Sequence, residues 1–269
     1  MTLRVKEIDF GSAEIEYPKG YRGQVLHMSD SCVLIATLVP AGAAGPPSHK
    51  HVDGDQTYFV IEGTISITLG ATQRTLGPGS AVLIPQGLPH HNWNDSDTDE
   101  IHLEVITPGV RIRRPLSVPA PLEEVGGLVP AIASVDDTAL ERTGRSELTG
   151  PRQGSAHTAL DVEARPPGTR PTALQLMPVD RYYLALDGPL GIDVGIDSHV
   201  IEPLQLAIVP AGLAHQCWNP ADAVNRYLTV TVFGQTGDPA DYHDSTLVSV
   251  AVAQHDLVGD DRVDDLEHG

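Results

Sequence analysis

The sequence contains very little cysteine. Two of its 269 residues are cysteines, Cys32 and Cys217, and they lie far apart in the chain. A disulfide framework needs more cysteines than this, and a zinc or redox pair needs a short spacing. These protein classes are therefore excluded, and both thiols are expected to be reduced and partly buried.

Basic residues are also scarce. The chain has 17 Lys and Arg against 36 Asp and Glu, a net charge of −19. This charge repels phosphate backbones and anionic membrane surfaces, so we expect neither nucleic-acid nor membrane partners. No segment approaches the about 18 apolar residues of a membrane span, and residues 1–7 lack the apolar core of a signal peptide. The expected location is the cytoplasm.

Glycine and proline, by contrast, are frequent, with 26 and 22 residues. They recur about every ten residues, and short runs rich in Val, Ile, Leu and Thr lie between them. This rhythm predicts an all-β fold of antiparallel sandwich or barrel type. The strands expected in the first half are Val33–Val39, Tyr58–Ile61, Thr64–Leu69, Ala81–Ile84 and Ile101–Ile106.

The same pattern returns in the second half at a constant offset. Segment 84–94 aligns with segment 209–219, 125 positions later, and the two share Pro, Gly, Leu, His, Trp and Asn at matching places. The same offset sets Tyr58 on Tyr183 and Gly63 on Gly188 without an insertion. One β unit was therefore duplicated, and we predict two β domains.

The predicted organisation has four parts. Residues 1–115 form the first β domain, and 116–155 form a Pro- and Gly-rich linker with one short helix at Asp136–Arg142. Residues 156–235 form the second β domain. Residues 236–269 contain one more strand at Thr246–Ala253 and an acidic, solvated tail.

Four side chains of the first copy stand out: His49, His51, Gln56 and His90. His49 and His51 are two residues apart, so on a strand both imidazoles emerge on one face. His90 follows a turn at 85–89, and in a closed barrel a neighbouring strand can bring this third imidazole to the first two. Three neutral imidazoles suit a divalent transition metal.

The spacing of these residues resembles the two motifs of the cupin superfamily. The first motif is His-x-His, four residues, Glu, six residues and Gly, and its places are filled by His49, His51, Gln56 and Gly63. The second motif is matched without a gap by Gly79, Pro85, Gly87, His90 and Asn94. The resemblance implies a bicupin with two tandem jelly-roll barrels, strong over about 25–110 and decayed over about 170–235.

The second copy lacks most of the metal ligands. The offset maps the four ligand positions onto Leu174, Leu176, Arg181 and His215. A single His beside two leucines cannot hold a transition metal of this type. The second barrel is therefore expected to be structural or to line a subunit interface.

Gln56 departs from the cupin pattern, which usually has Glu at this place. An amide oxygen can bind a metal but brings no negative charge, so the metal keeps its full +2 and becomes a stronger Lewis acid. Our hypothesis is that an anionic, chelating substrate such as an enolate or hydroxy-carbonyl then balances the charge. The alternative role of Gln56 is to orient a ligand imidazole by a hydrogen bond.

Three functions stay open at this point. The resemblance first implies an enzyme in which one divalent metal (Zn, Ni, Fe, Mn or Cu) acts as a Lewis acid on a small hydroxy-carbonyl or polyketide-like substrate, by enolisation, isomerisation or cyclisation. The second is an O2-dependent dioxygenase of the quercetinase or diketone-cleaving type, although 4% aromatic residues offer little stacking surface for a flavonol. The third is a non-enzymatic cupin that binds a small molecule. A homodimer is the expected assembly.

Three residues are candidates for acid–base catalysis: Tyr58, His102 and Glu104. Tyr58 lies two residues after Gln56 on the same strand face, where core packing is the alternative role. His102 and Glu104 are two apart on a predicted strand, and the alternative is that both face solvent. His91 should face away from His90 and is not predicted to take part.

Overall fold

The computed structural model describes residues 2–109 and 115–233, together with the backbone of 246–248. These residues form antiparallel strands with one α-helix and three short 3-10 turns at Phe10–Ser12, Pro18–Gly20 and Pro151–Gln153. The predicted all-β jelly-roll class is confirmed. Within the described residues, no helix has the length and apolar character needed to cross a membrane.

Strands and short turns alternate along the described residues. The first half contains β1 (Arg4–Glu7), β2 (Ile15–Tyr17), β3 (Tyr21–Met28), β4 (Val33–Val39), β5 (His49–Lys50), β6 (Asp55–Glu62), β7 (Ile65–Leu69), β8 (Thr72–Leu76), β9 (Ser80–Ile84), β10 (His90–Trp93), β11 (Glu100–Thr107) and β12 (Val118–Pro119). The second half contains β13 (Ala131–Ser134), α1 (Asp137–Thr143), β14 (Arg145–Thr149), β15 (Thr158–Arg165), β16 (Leu174–Leu176), β17 (Asp180–Ala185), β18 (Leu190–Val194), β19 (Asp197–Ile201), β20 (Gln205–Val209), β21 (His215–Trp218), β22 (Asn225–Val232) and β23 (Thr246–Val248).

Each barrel is made of two sheets. In the first barrel the strand orders are β13-β9-β6-β11-β4-β3-β2 and β12-β5-β10-β7-β8. In the second barrel they are β1-β20-β17-β22-β15-β14 and β19-β18-β21-β16-β23. The larger sheet of each barrel packs against that of the other barrel, while the smaller sheets lie on the outer sides.

The packing of the larger sheets buries both faces of their central strands. On β6, Tyr58 and Val60 point into the interior of the first barrel, whereas Phe59 points into a core that both barrels share. Alternate residues of a strand point to opposite faces, so one strand serves two cores. The shared core contains, among others, Leu34, Phe59 and Leu103 of the first barrel and Leu160, Tyr182 and Leu228 of the second.

The two copies exchange their leading strands. β1 precedes the first copy but pairs with β20 of the second barrel, with Arg4 opposite Ile208. β13 precedes the second copy but pairs with β9 of the first barrel, with Ala131 opposite Leu83. Because Leu83 and Ile208 are equivalent under the offset, the exchanged strands occupy equivalent sheet edges. Each barrel is therefore completed by a strand from the other copy.

The segment 116–155, predicted to be a linker, takes part in the sheets. β12 pairs with β5, β13 with β9 and β14 with β15. Its Pro and Gly residues separate short strands, and this composition is also typical of a linker. The pairing partners of these strands are distant in the chain, so the sequence does not reveal them. The helix α1 is close to the predicted one; the Asp136 side chain accepts a hydrogen bond from the N–H of Ala139, and Gly144 at φ 72° ends it.

Only part of the predicted C-terminal region lies within the described residues. The backbone of 246–248 forms β23, which pairs with β16. The remainder of the predicted strand Thr246–Ala253 and the predicted acidic tail lie outside the described residues.

We expect Leu184→Ala to destabilise both barrels together. Leu184 is fully buried in the shared core, and truncation of such a side chain lowers the free energy of unfolding by about 2–5 kcal/mol. Urea unfolding followed by tryptophan fluorescence measures this in two backgrounds. Trp93→Phe leaves a reporter in the second barrel and Trp218→Phe leaves one in the first. Both reporters should shift to the same lower urea midpoint.

The control is Val224→Ala at an exposed position, which should change the free energy of unfolding by less than about 0.5 kcal/mol. If Leu184→Ala shifts the Trp218 signal and leaves the Trp93 signal in place, the barrels unfold independently and the shared core does not couple them.

Candidate metal centre

Three histidines of the first barrel meet at one point. His49 of β5 is paired directly with His90 of β10, and His51 follows β5 by one residue. The ring centroids of His49 and His90 lie 4.4 Å apart, and that of His51 lies 5.5 Å from each. One nitrogen of each ring lies within 4.8 Å of the others. The structure thus brings together the three histidines that the sequence predicted.

A backbone turn holds the two ligand segments together. Gly87, in the turn before His90, has φ 85° and donates its N–H to the carbonyl oxygen of His51 at 2.8 Å. This left-handed conformation favours glycine, because a side chain would strain it. The glycine of the sequence motif therefore serves to place His90 beside His51.

Each imidazole is oriented by a backbone carbonyl. The Nδ1 atoms of His49, His51 and His90 lie 2.9, 2.9 and 3.1 Å from the carbonyl oxygens of Pro47, Leu116 and Leu88. A carbonyl oxygen only accepts, so each Nδ1 carries the proton and each Nε2 keeps a free lone pair. The Nε2 atoms of His51 and His90 are buried without a hydrogen-bond partner, which fits a bound metal ion.

The protonation states agree with this geometry. Burial, and then the neighbouring His49, lower the pKa of His51 to about 4 and the pKa of His90 to about 3. Both rings are therefore neutral at pH 7, which is the form that binds a metal.

Gln56 presents its amide oxygen to the same cavity. Its Nε2 donates to Oε2 of Glu104 at 2.7 Å. A carboxylate accepts but does not donate, so this contact fixes the orientation of the amide. The opposite atom, Oε1, is buried without a hydrogen-bond partner, and the side chain lines the same cavity as His51. Gln56 is thus placed to supply a fourth, neutral oxygen ligand.

Behind Gln56 lies a buried chain of hydrogen bonds. Oε1 of Glu104 accepts from the Thr37 hydroxyl at 2.8 Å and lies 3.3 Å from Nε2 of His102. Nδ1 of His102 lies 2.9 Å from Oε2 of Glu100. Both ring nitrogens of His102 therefore face carboxylates, which requires the doubly protonated imidazolium.

The charge states follow from this chain. Burial opposes the charged form of His102, but Glu100 and Glu104 outweigh it and raise the pKa to about 10. Burial also opposes ionisation of Glu104, but the hydrogen bond and charge of His102 outweigh it and lower that pKa. Burial raises the pKa of Glu100. Glu104 is therefore the more readily ionised of the two acids, and its carboxylate is paired with the cationic His102.

The alternative that His102 and Glu104 face solvent is wrong. Their exposed fractions are 0% and 7%. The intervening Leu103, and Val105 beyond, pack in the shared core, so the alternation of β11 turns His102 and Glu104 into the first barrel.

Tyr58 and His91 occupy different surroundings. Tyr58 is buried, and its ring stacks on that of His102 with centroids 4.7 Å apart; burial raises its pKa well above 10. Tyr58 therefore forms part of the cavity wall, and its hydroxyl stays protonated at neutral pH. His91 lies outside the three-histidine group, with Nδ1 bonded to the carbonyl oxygen of Pro46 and its ring stacked on Trp93.

The cavity beside the histidines has a volume of about 120 Å³. His49, His51 and Gln56 line one side, and the opposite walls are mostly aromatic and aliphatic. Among the described residues that line it, Glu104 is the one carboxylate. The other lining residues are Ile15, Tyr17, Tyr21, Gly23, Ile35, Thr37, Pro46, Tyr58, Ile106, Leu116 and Ser117.

Comparison with known proteins agrees with this architecture. Residues 36–106 match the family model of the cupin domain. This segment of the first barrel is therefore similar to a cupin domain. No curated protein matches it at significant similarity.

Several solved structures have a similar fold. Salicylate 1,2-dioxygenase from Pseudaminobacter salicylatoxidans is 13% identical, with a TM-score of 0.67 over 91% of this chain and 88% of that chain. Its gentisate adduct is 12% identical, with a TM-score of 0.66 over 91% and 85%. Protein Ylba from E. coli is 13% identical, with a TM-score of 0.65 over 86% and 90%. At these identities the likeness shows the fold.

The second cupin barrel has no comparable centre. Among the described residues, His49, His51 and His90 are the one group of His, Cys, Asp or Glu side chains arranged to hold a metal. His215, the equivalent of His90, has its Nε2 2.7 Å from the Tyr183 hydroxyl, which occupies the nitrogen that a metal would need. The second barrel thus lacks the ligand set of the first, as the sequence indicated.

Sequence reasoning missed Glu100 and Thr37. Glu100 was detectable, because Glu100, His102 and Glu104 alternate with apolar residues along one strand. Thr37 offers no such signal, since a threonine in an apolar strand is ordinary.

We expect His90→Ala to abolish metal binding and His91→Ala to leave it intact. Removing one of three imidazoles disrupts the donor set, whereas His91 faces away from it. Elemental analysis by mass spectrometry of the purified proteins measures this. The metal content should fall from about one ion per chain to near zero in the first variant alone. Equal loss in both variants would place the metal elsewhere.

We expect Gln56→Glu to lower the free energy of unfolding of the metal-free protein by about 1–3 kcal/mol, because the donor to Glu104 is replaced by a second carboxylate. Urea unfolding at neutral pH measures this. The reciprocal variant Gln56→Glu/Glu104→Gln restores an amide-to-carboxylate hydrogen bond with its direction reversed. It should recover at least about half of the loss, a non-additive result. Additive losses would contradict the pairing.

Proposed function

We propose that this protein is a metal-dependent enzyme that acts on a small, anionic hydroxy-carbonyl or polyketide-like substrate by enolisation, isomerisation or cyclisation. The observation that carries the proposal is the joint placement of free donor atoms and one carboxylate. The Nε2 atoms of His51 and His90 and Oε1 of Gln56 are unpartnered, and Glu104 lines the same cavity.

His49, His51, Gln56 and His90 would hold the metal. When bound, a divalent transition ion (Zn, Ni, Fe, Mn or Cu) supplies Lewis-acid polarisation of a substrate oxygen. All four ligands are neutral, and Glu104, the carboxylate that lines this cavity, is paired with the cationic His102. An anionic substrate therefore supplies the balancing charge, as the sequence indicated.

Glu104 is the proposed general base. Its Oε1 is held by Thr37 and His102, and its Oε2 accepts from Gln56. A carboxylate has about four acceptor sites, so Oε2 retains one that can take a proton from the substrate carbon. Thr37 and His102 fix the carboxylate while Tyr58, protonated and buried, closes the wall. The apolar walls at Ile35 and Ile106 limit water.

A second candidate is an O2-dependent dioxygenase that uses the same ligands. The three-imidazole set favours it, and so does the similarity in fold to salicylate 1,2-dioxygenase, a structure of which contains gentisate. Both names denote hydroxy-carboxylates, which belong to the anionic, chelating class proposed here. The two candidates differ in oxygen consumption.

We expect the metal-loaded protein to catalyse exchange of the α-protons of hydroxypyruvate, an anionic hydroxy-carbonyl compound, in D2O, and Glu104→Gln to slow this exchange by about 10²–10⁴-fold. Proton NMR measures the exchange, and elemental analysis verifies that the variant keeps its metal. The control is Glu62→Gln, an exposed carboxylate at the end of β6, which should exchange at the wild-type rate.

Exchange that is unaffected by Glu104→Gln would contradict the role of this carboxylate. An oxygen electrode distinguishes the second candidate: oxygen uptake with salicylate or gentisate, without exchange of α-protons, would favour the dioxygenase.

A further inference from the structure

The second barrel contains a cavity of its own, with a volume of about 230 Å³. Its place in the barrel corresponds to that of the metal cavity, since Arg181 of β17 occupies the position of Gln56 and Tyr183 that of Tyr58. Its walls are rich in charge, where a purely structural barrel would be apolar. Its charged lining residues are Arg145, Asp161, Glu163, Arg165 and Arg181.

The two carboxylates of this cavity are already matched by partners. Arg145 donates to both oxygens of Asp161, at 2.9 and 2.8 Å. Arg165 lies 3.5 Å from Glu163, which also accepts from the hydroxyls of Tyr227 and Thr229 at 2.7 and 2.9 Å. Each pair is neutral when its carboxyl group is ionised, and burial raises the pKa of the Asp161 carboxyl group to about 7.

Arg181 has no such partner. Among the described residues it forms no ion pair, and its one hydrogen bond runs from a terminal nitrogen to the Tyr183 hydroxyl at 3.4 Å. Its Nε is buried without a partner, and so is Oε1 of the nearby Gln216. The cavity therefore holds one guanidinium whose charge is not compensated at hydrogen-bonding distance.

The other titratable groups of the cavity do not supply the missing negative charge. Burial raises the pKa of Cys217 to about 12, and burial also raises those of Tyr183 and Tyr227, so all three keep their protons. His215 is neutral, because burial lowers its pKa to about 4. Its Nδ1 donates to the carbonyl oxygen of Leu213, so its Nε2 accepts from Tyr183.

We propose that the second barrel binds a small organic monocarboxylate through Arg181. A partly buried, unpaired guanidinium is costly, and an anion that pairs with it removes that cost. The planar fork of arginine matches the two oxygens of a carboxylate. One uncompensated positive charge matches one negative charge, while Asp161 and Glu163 in the walls repel a dianion. The unpartnered oxygen of Gln216 can accept from a hydroxyl of the ligand.

The test is calorimetric titration of benzoate into the full-length protein carrying His49→Ala/His51→Ala, which removes the metal site and thus any binding there. We expect saturable binding of one benzoate per chain. Arg181→Met should weaken it by at least about tenfold, as should replacement of benzoate by its neutral analogue benzamide. Arg152→Met, at an exposed arginine, should leave the affinity unchanged.

A second measurement separates a binding role of Arg181 from a structural one. Without benzoate, Arg181→Met should melt at or above the temperature of the parent protein, because an unpaired charge is removed. Benzoate should raise the melting temperature of the parent alone. Acetate and inorganic phosphate are titrated in the same way. The proposal is overturned if neither acetate nor benzoate binds, or if phosphate binds more tightly than benzoate. It is also overturned if Arg181→Met binds benzoate as well as the parent protein does, or if this variant melts at a far lower temperature.

Discussion

The apolar core between the two barrels decides which side chains enter the first cavity. Phe59 of β6 and Leu103 and Val105 of β11 are committed to this core. The period of two along a strand then turns their neighbours, including Gln56 and Glu104, into the barrel. A shift of the strand register by one residue would turn every side chain of the strand to the opposite face of the sheet. The polar chain behind the metal site is therefore held in place by contacts that are wholly apolar and lie on the opposite face of the same strands.

Each barrel contains an interior glutamate that accepts a hydrogen bond from a threonine, but the two glutamates lie on different strands. In the first barrel Thr37 of β4 donates to Glu104 of β11. In the second barrel the roles are exchanged, since Thr229 of β22 donates to Glu163 of β15. With this exchange, the neutral Gln56 is replaced by the cation Arg181. The second copy thus lacks the three-histidine group while retaining a polar interior of a different kind.

The duplication, the all-β class and the three histidines could be predicted because local spacing encodes them. Gly63 and Gly87 mark turns, and the positions of His49, His51 and His90 follow from strand geometry. Whether His102 and Glu104 point into the barrel could not be predicted from spacing, since alternation along a strand permits either face. Packing of Leu103 and Val105 against the other copy decides which face turns inward. The strands within 116–155 were missed for the same reason, because their pairing partners are distant in sequence.

The exchange of β1 and β13 also imposes an order on folding during synthesis. β13 follows soon after the strands of the first barrel, so that barrel can close before the second copy exists. β1 cannot form its pairing with β20 until β20, about 200 residues later, has left the ribosome. At typical rates of about 5–20 residues per second, this strand stays without its partner for on the order of ten seconds or more. β1 is thus paired much later than the neighbouring strands of the first copy, and its edge stays open in the nascent chain until β20 is made.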